Sequence, residues 1–144
     1  MTELPINEKL EEIFVMSYFY LGELINSCIS VFFRFSTGSW YKIILSDGQS
    51  IIERVEEPKL NNKNSNEDFF YPISIYKEID LGKFGHLDKI YDFFWLGKRD
   101  ESCGIAFEFD NGRFLYVVEN DDEIALSEKS DVVRNEWEKE ERKI

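Results

Sequence analysis

The sequence predicts an α+β fold that is mainly antiparallel β. It has two four-stranded β-meanders that repeat one another and a C-terminal helix. Three observations lead there. The first is internal likeness: VMSYFYLGE at 15–23 matches IYDFFWLGK at 90–98 at an offset of 75, with Phe19/Phe94, Leu21/Leu96 and Gly22/Gly97 identical. Ser27-Cys28 falls on Ser102-Cys103, one residue is then lost, and FRFSTGSWYKIILSD (33–47) lies on FEFDNGRFLYVVEND (107–121) at an offset of 74. An ordered match over two blocks is the signature of a repeat architecture. The second is aromatic content: 13 Phe, 7 Tyr and 3 Trp favour strands over helices. The third is punctuation, since Asp47-Gly48 and Asn111-Gly112 each separate two apolar runs as hairpin turns do.

Element by element, residues 8–14 (EKLEEIF) read as a short helical turn, and 15–22 as an aromatic strand ending at Gly22. CISVFFRFS (28–36), SWYKIILS (39–46) and QSIIERVEE (49–57) follow as strands, the last closed by Pro58. A two-residue loop at Asp47-Gly48 places Ile44 opposite Ile51, Ile43 opposite Ile52 and Lys42 opposite Glu53. A similar loop at Thr37-Gly38 places Phe35 opposite Trp40 and Arg34 opposite Tyr41. These are favourable cross-strand pairs. The Asn-rich stretch at 57–70 reads as a linker or exposed loop. YPISIYKEI (71–79) reads as a further strand, with Pro72 placing it at an edge or a strand start. The second repeat gives strands near 89–96, 103–110, 113–119 and 123–127. Its Asn111-Gly112 turn places Phe109 opposite Phe114, Phe107 opposite Tyr116 and Ile105 opposite Val118. The tail, 129–142, has Ser and Asp as N-caps and Val133 and Trp137 at i, i+4. It reads as a charged helix that packs Trp137 on the sheet and turns Glu138 and Glu140 to solvent. The whole is expected to be one domain over 1–144, with repeats at 15–55 and 90–127. One continuous sheet, two facing sheets and a partly closed barrel all remain open.

Composition narrows the function classes. No apolar run reaches 18 residues, so no transmembrane helix is expected. The acidic start MTELPINEKLEE lacks a basic n-region and an apolar stretch, so a cytoplasmic protein is expected. Cys28 and Cys103 occupy matching repeat positions. Two buried thiols are the expectation, with a disulfide as the lesser alternative. The net charge of −12 opposes the basic footprint that nucleic acid or an anionic membrane requires; it suits a basic partner, although by itself it is read first as serving solubility.

No catalytic constellation emerges, and the chain is read as a non-enzyme without cofactor or metal. His86, the single imidazole, lies in a Gly-flanked turn and is read as a surface or cap residue. The densest acidic group is Glu119, Asp121, Asp122 and Glu123. It lacks EF-hand spacing. It reads first as a solvated turn; among binding roles an anchor for Arg or Lys of a partner is preferred to a metal site, with Glu56 and Glu57 as further contributors.

The stretch GIAFEFDNGRFLYVVENDDEIALSE (104–128), with a weaker echo at 31–52, resembles the core of small bacterial immunity-type proteins encoded beside polymorphic or contact-dependent toxins. The resemblance implies a cytoplasmic, non-catalytic protein that binds one cognate toxin, in many cases a basic nuclease, and blocks it. The alternative is a non-catalytic β module that binds a small molecule or acts as a regulatory subunit.

Overall fold

The structure, a computed structural model, describes residues 3–61 and 67–143. Eleven strands run in order: β1 (Leu10–Tyr20), β2 (Glu23–Phe35), β3 (Trp40–Ser46), β4 (Gln49–Val55), β5 (Phe69–Phe70), β6 (Ile73–Ile75), β7 (Leu87–Trp95), β8 (Lys98–Phe109), β9 (Phe114–Asn120), β10 (Glu123–Ser127) and β11 (Trp137–Glu141). All pairings are antiparallel. One sheet has the order β4-β3-β2-β1-β5, with β6 also on β1; the other has the order β10-β9-β8-β7-β11. The two meanders therefore share a strand order, and each carries an added strand on the free edge of its first strand.

The two sheets face each other across one core. Ile13, Val31, Phe33, Phe35 and Ile43 come from the first sheet, and Leu87, Ile90, Ile105, Phe107, Leu115 and Val117 from the second. Phe33 and Phe107, matched at offset 74, meet edge-to-face with ring centroids 5.3 Å apart. A residue that touches its own repeat equivalent lies on the axis relating the repeats. Of the three arrangements open from sequence, two facing sheets is the one observed.

Several expectations are corrected. The class is nearly all β, not α+β. Short 3-10 turns at Leu81–Lys83 and Ser130–Val132 are the helical elements among the described residues, and there is no helix at 129–142. The tail instead adds β11 to β7, with Trp137 opposite Trp95 and Lys139 opposite Phe93. The helical spacing of Val133 and Trp137 is outweighed by an open sheet edge. That edge satisfies every second backbone group and covers the indole, which is 8 % exposed between Phe93 and Trp95. Residues 8–14 are likewise not helical, because β1 begins at Leu10 and buries Leu10, Ile13 and Phe14.

The Asp47-Gly48 register is as read, with Ile44↔Ile51, Ile43↔Ile52 and Lys42↔Glu53. The other two hairpins are shifted by one residue. Arg34 pairs with Trp40 and Phe33 with Tyr41; Phe107 pairs with Leu115 and Ile105 with Val117. Both have three-residue loops, closed by the bonds Phe35 N to Ser39 O and Phe109 N to Arg113 O. The third loop residue is Gly38 or Gly112, at φ +87° and +83°. Such loops end on a left-handed residue, and the extra residue moves every side chain to the opposite face.

The first-strand match also changes. Leu10/Leu87 and Ile13/Ile90 are structurally equivalent, an offset of 77, and it falls to 75 at the Leu21-Gly22 and Leu96-Gly97 turns. Bulges in both β1 and β7 absorb the difference. Cys28 and Cys103 are therefore not equivalent. Both are free and buried, but Cys28 lies in the shared core while Cys103 lies on the outer face of the second sheet with Phe93, Ala106 and Trp137. In the 57–70 stretch, residues 62–66 lie outside the described residues, Asn61 bridges Ile73, and Phe69–Phe70 is strand. Strand 71–79 shortens to Ile73–Ile75, at the edge as Pro72 suggested. Among the described residues no helix is long and apolar enough to cross a membrane.

Arg142 fastens the tail. Its guanidinium donates to both carboxylate oxygens of Asp92 on β7, at 2.6 and 3.0 Å, and to the carbonyl of Ser50 on β4 at 3.0 Å. One cation thus ties the C-terminal segment to both sheets. Trp137 Nε1 is buried without an acceptor. Trp137→Phe, which removes that donor and keeps an aromatic ring, is therefore expected to change stability by less than about 1 kcal/mol, whereas Trp137→Ala is expected to cost roughly 3–5 kcal/mol. Urea unfolding of the two variants checks this.

Candidate functional site

The acidic segment is a type I′ hairpin turn between β9 and β10. Asn120 pairs with Glu123, and Asp121 and Asp122 both have positive φ, +50° and +67°. Its counterpart is Asp47-Gly48, at +53° and +75°. The second repeat thus places a carboxylate where the first uses glycine. Aspartate tolerates this conformation better than most residues, yet still at a cost of order 1 kcal/mol.

Each of these turns docks on the second strand of the other meander. Asn26 Nδ2 donates to the Asp122 carbonyl at 2.8 Å. Ser27 donates its N–H and its hydroxyl to the Glu123 carboxylate at 3.1 and 2.9 Å. Reciprocally, Ser102 N donates to the Gly48 carbonyl at 2.6 Å, and the Ser50 and Ser102 hydroxyls lie 2.6 Å apart. Ser102 takes the place of Cys28 at offset 74, one residue from Ser27, so the exchange is mutual, as twofold relations require.

Glu123 is therefore committed to an internal contact. Glu119, Asp121 and Asp122 are exposed. Among the described residues, no hydrogen bond or ion pair engages the side chain of Asp121 or Asp122. Partial burial, and then the charge of Asp122, raises the Glu119 pKa above its ordinary value. The structure does not bring Glu56 and Glu57 to this cluster. They follow β4 beside Thr37 and Trp40, at the far end of the first sheet. Measured along β2 from Ser27 to Arg34, the separation is about 23 Å at 3.3 Å per residue. Their hollow also holds Arg54 and Arg34, the latter paired with Glu11 at 3.1 Å and Glu12 at 3.2 Å, so their field is partly neutralised.

Other chemistry is sparse. His86 is exposed, with Nδ1 3.5 Å from Asp110 Oδ2 and its backbone N–H donating to Asp110 Oδ1 at 2.9 Å. It closes a loop, as a cap residue does. Burial pushes both thiols up to about 12, so neither is a thiolate at neutral pH. Among the described residues no three His, Cys, Asp or Glu side chains converge as metal ligands would. A cleft of about 570 Å³ opens between β1, β6 and β10, with Ser17, Ser27, Ser74, Tyr76 and Glu78 among apolar walls. Burial, and then Glu78, pushes the Tyr76 hydroxyl up to about 12. Sequence reasoning missed this cleft and the roles of Asn26 and Ser27. The available signal was that the short polar pair Asn26-Ser27 falls on Glu101-Ser102 at the repeat offset.

No family model, curated protein or solved structure matches the chain.

The raised pKa of Glu119 fixes a sign. Its carboxyl holds its proton more tightly folded than unfolded, so the stability linked to it is present below pH 4.5 and is lost as pH rises through the folded pKa. Glu119→Gln is expected to raise the melting temperature at pH 7 and to leave it unchanged at pH 3.5. Scanning calorimetry at the two pH values checks this.

Proposed function

We propose that this chain is a non-catalytic inhibitor, an immunity protein that binds and neutralises a basic bacterial toxin of the nuclease type in the cytoplasm. The observation that carries the reading is the Asp121-Asp122 turn. Folding needs a left-handed pair there, and the first repeat meets that need with Asp47 and Gly48. In the second repeat Asp122 replaces that glycine, so two unpaired carboxylates are held in solvent, next to Glu119, whose ionisation Asp122 opposes. Strain and like-charge crowding that serve no internal contact point to a role outside folding. The turn is also rigid, because Asn26 and Ser27 grip it from the other sheet. A fixed set of carboxylates on a chain of net charge −12 suits arginine and lysine on a partner.

A second reading, a module that binds a small polar molecule, draws on the serine-lined cleft beside Tyr76 and Glu78. Hydroxyls on apolar walls are the usual make-up of such sites. The inhibitor reading is preferred because it alone accounts for the aspartate pair.

A toxin domain is expected to be encoded beside this chain's gene, and the test uses it; a neighbourhood without one would refute the reading. Co-expression should rescue growth, and the purified proteins should form a stoichiometric complex. Complementary fields act mainly on association, so Asp121→Lys with Asp122→Lys should slow binding about tenfold at low salt and much less at high salt. Stopped-flow fluorescence at two ionic strengths measures this, with circular dichroism as the folding control. An adjacent toxin that is neither bound nor neutralised would refute the reading.

A further inference from the structure

The tip of the β1–β2 hairpin is apolar and uncovered. Tyr20, Leu21, Leu24, Ile25, Phe69 and Tyr71 are each between 41 % and 61 % exposed. Scattered exposed apolar residues are ordinary, but a contiguous group this size marks an interaction surface. Both faces of the tip take part. On one face Tyr18 stacks on Phe69 and Tyr71, at 6.4 and 5.1 Å between centroids, and Tyr20 lies 5.2 Å from Phe69. On the other, Phe19 meets Phe70 at 6.2 Å beside Leu24, its partner across the ladder.

In the second repeat the strand leading to the tip is covered, although Leu96 at the turn is as open as Leu21. There the five residues of β11 run along β7, Trp137 packs on Phe93 and Trp95, and Arg134 lies 5.8 Å over the Trp95 ring. Arg99 is then held by Glu138 and Glu140 at 3.5 and 2.8 Å. In the first repeat the equivalent strand, β5, pairs only Phe69 with Tyr20 and Phe70 with Phe19 along this tip. No tryptophan and no cation cover it among the described residues. Among the described residues, the charged groups that border it are acidic: Glu23 follows the turn, Asp68 accepts the Leu21 N–H at its carbonyl, and Asp122 is held beside Asn26.

We propose that the β1–β2 tip with β5 is the docking surface for a basic partner segment that interleaves aromatic and cationic side chains. Its rings would sit on the tilted Tyr20–Phe69 pair, and its arginines would meet Glu23, Asp68 and Asp122 or lie over the tyrosine rings. The combination is that of an interface centre: buried aromatic anchors inside a charged rim. Arginine over an aromatic face adds cation–π attraction, the contact that Arg134 already makes in the second repeat. The inference rests on the inhibitor reading for its choice of a basic partner, and it places the anchor of that interface beside the Asp121-Asp122 turn.

The probe is a fluorescein-labelled peptide of four Arg-Trp repeats, compared with four Arg-Ser repeats of the same charge. Fluorescence anisotropy should give the Arg-Trp peptide at least tenfold higher affinity. Tyr20→Ser with Phe69→Ser should remove that advantage, and Asp121→Lys with Asp122→Lys should weaken both peptides alike. Equal affinity of the two peptides for the unmodified protein, or an advantage that survives the double serine variant, would overturn the proposal. Should that variant misfold by circular dichroism, hydrogen exchange on the unmodified protein decides: the Arg-Trp peptide must slow exchange at 18–25 and 69–71. Protection elsewhere overturns the proposal. Separately, a toxin neutralised equally well by the double serine variant would refute this surface and leave the inhibitor function standing. Peptide binding at the tip without any toxin neutralised would do the reverse.

Discussion

The structure depends on a mutual exchange between its two halves. The Asp47-Gly48 turn of the first meander lies on Ser102 of the second, and the Asp121-Asp122 turn of the second lies on Asn26 and Ser27 of the first. Phe33 and Phe107 meet between them, each against its own repeat equivalent. A single meander has one apolar face and cannot bury it alone. Facing another copy buries both, and the exchanged turns satisfy polar groups at the strand ends that water would otherwise compete for. The sheet order, the added edge strands and the seating of Arg142 across both sheets are all consequences of that arrangement.

Against this frame the differences between the halves carry the functional information. Where the first repeat has Gly48, the second has Asp122; where the second repeat covers its first hairpin with Trp137, the first leaves Tyr20 and Leu24 open. Neither difference improves packing. The first adds strain and charge, and the second leaves apolar area in water. They lie close together, since Asn26 holds Asp122 a short way along β2 from Leu24 and Ile25.

Much of the fold was legible in residues. The meanders and the Asp47-Gly48 register followed from periodicity and turn chemistry, because those signals act over a few residues. What failed was set at longer range. The 129–142 tail has helical spacing, yet its residues 137–141 form a strand, because β7 presents an open edge and Trp95 presents a ring, neither of which is visible from the tail itself. The two shifted hairpins turn on whether a glycine ends a two-residue or a three-residue loop; Thr37-Gly38 and Asn111-Gly112 allow either, and the buried pairs Phe33/Tyr41 and Phe107/Leu115 select one. At the candidate site, the carboxylates of the 119–123 turn were visible as charge, but the commitment of Glu123 to Ser27 was not, because it joins residues 96 apart. The remoteness of Glu56 and Glu57 has the same origin. The aromatic tip was read as ordinary strand because exposure is a property of what fails to pack on it.

The central claim is that two equivalent meanders form one cooperative unit through their shared core. Tryptophan positions allow a direct measurement, since Trp40 lies in the first sheet and Trp137 in the second. Two variants, each retaining one of these as its single tryptophan, would be unfolded in urea and followed by fluorescence, with far-ultraviolet circular dichroism alongside. The account predicts one transition with the same midpoint and slope for each variant's fluorescence and its dichroism, because neither half has a core without the other. Fluorescence and dichroism transitions that separate within either variant, so that one meander melts while the other persists, would contradict it.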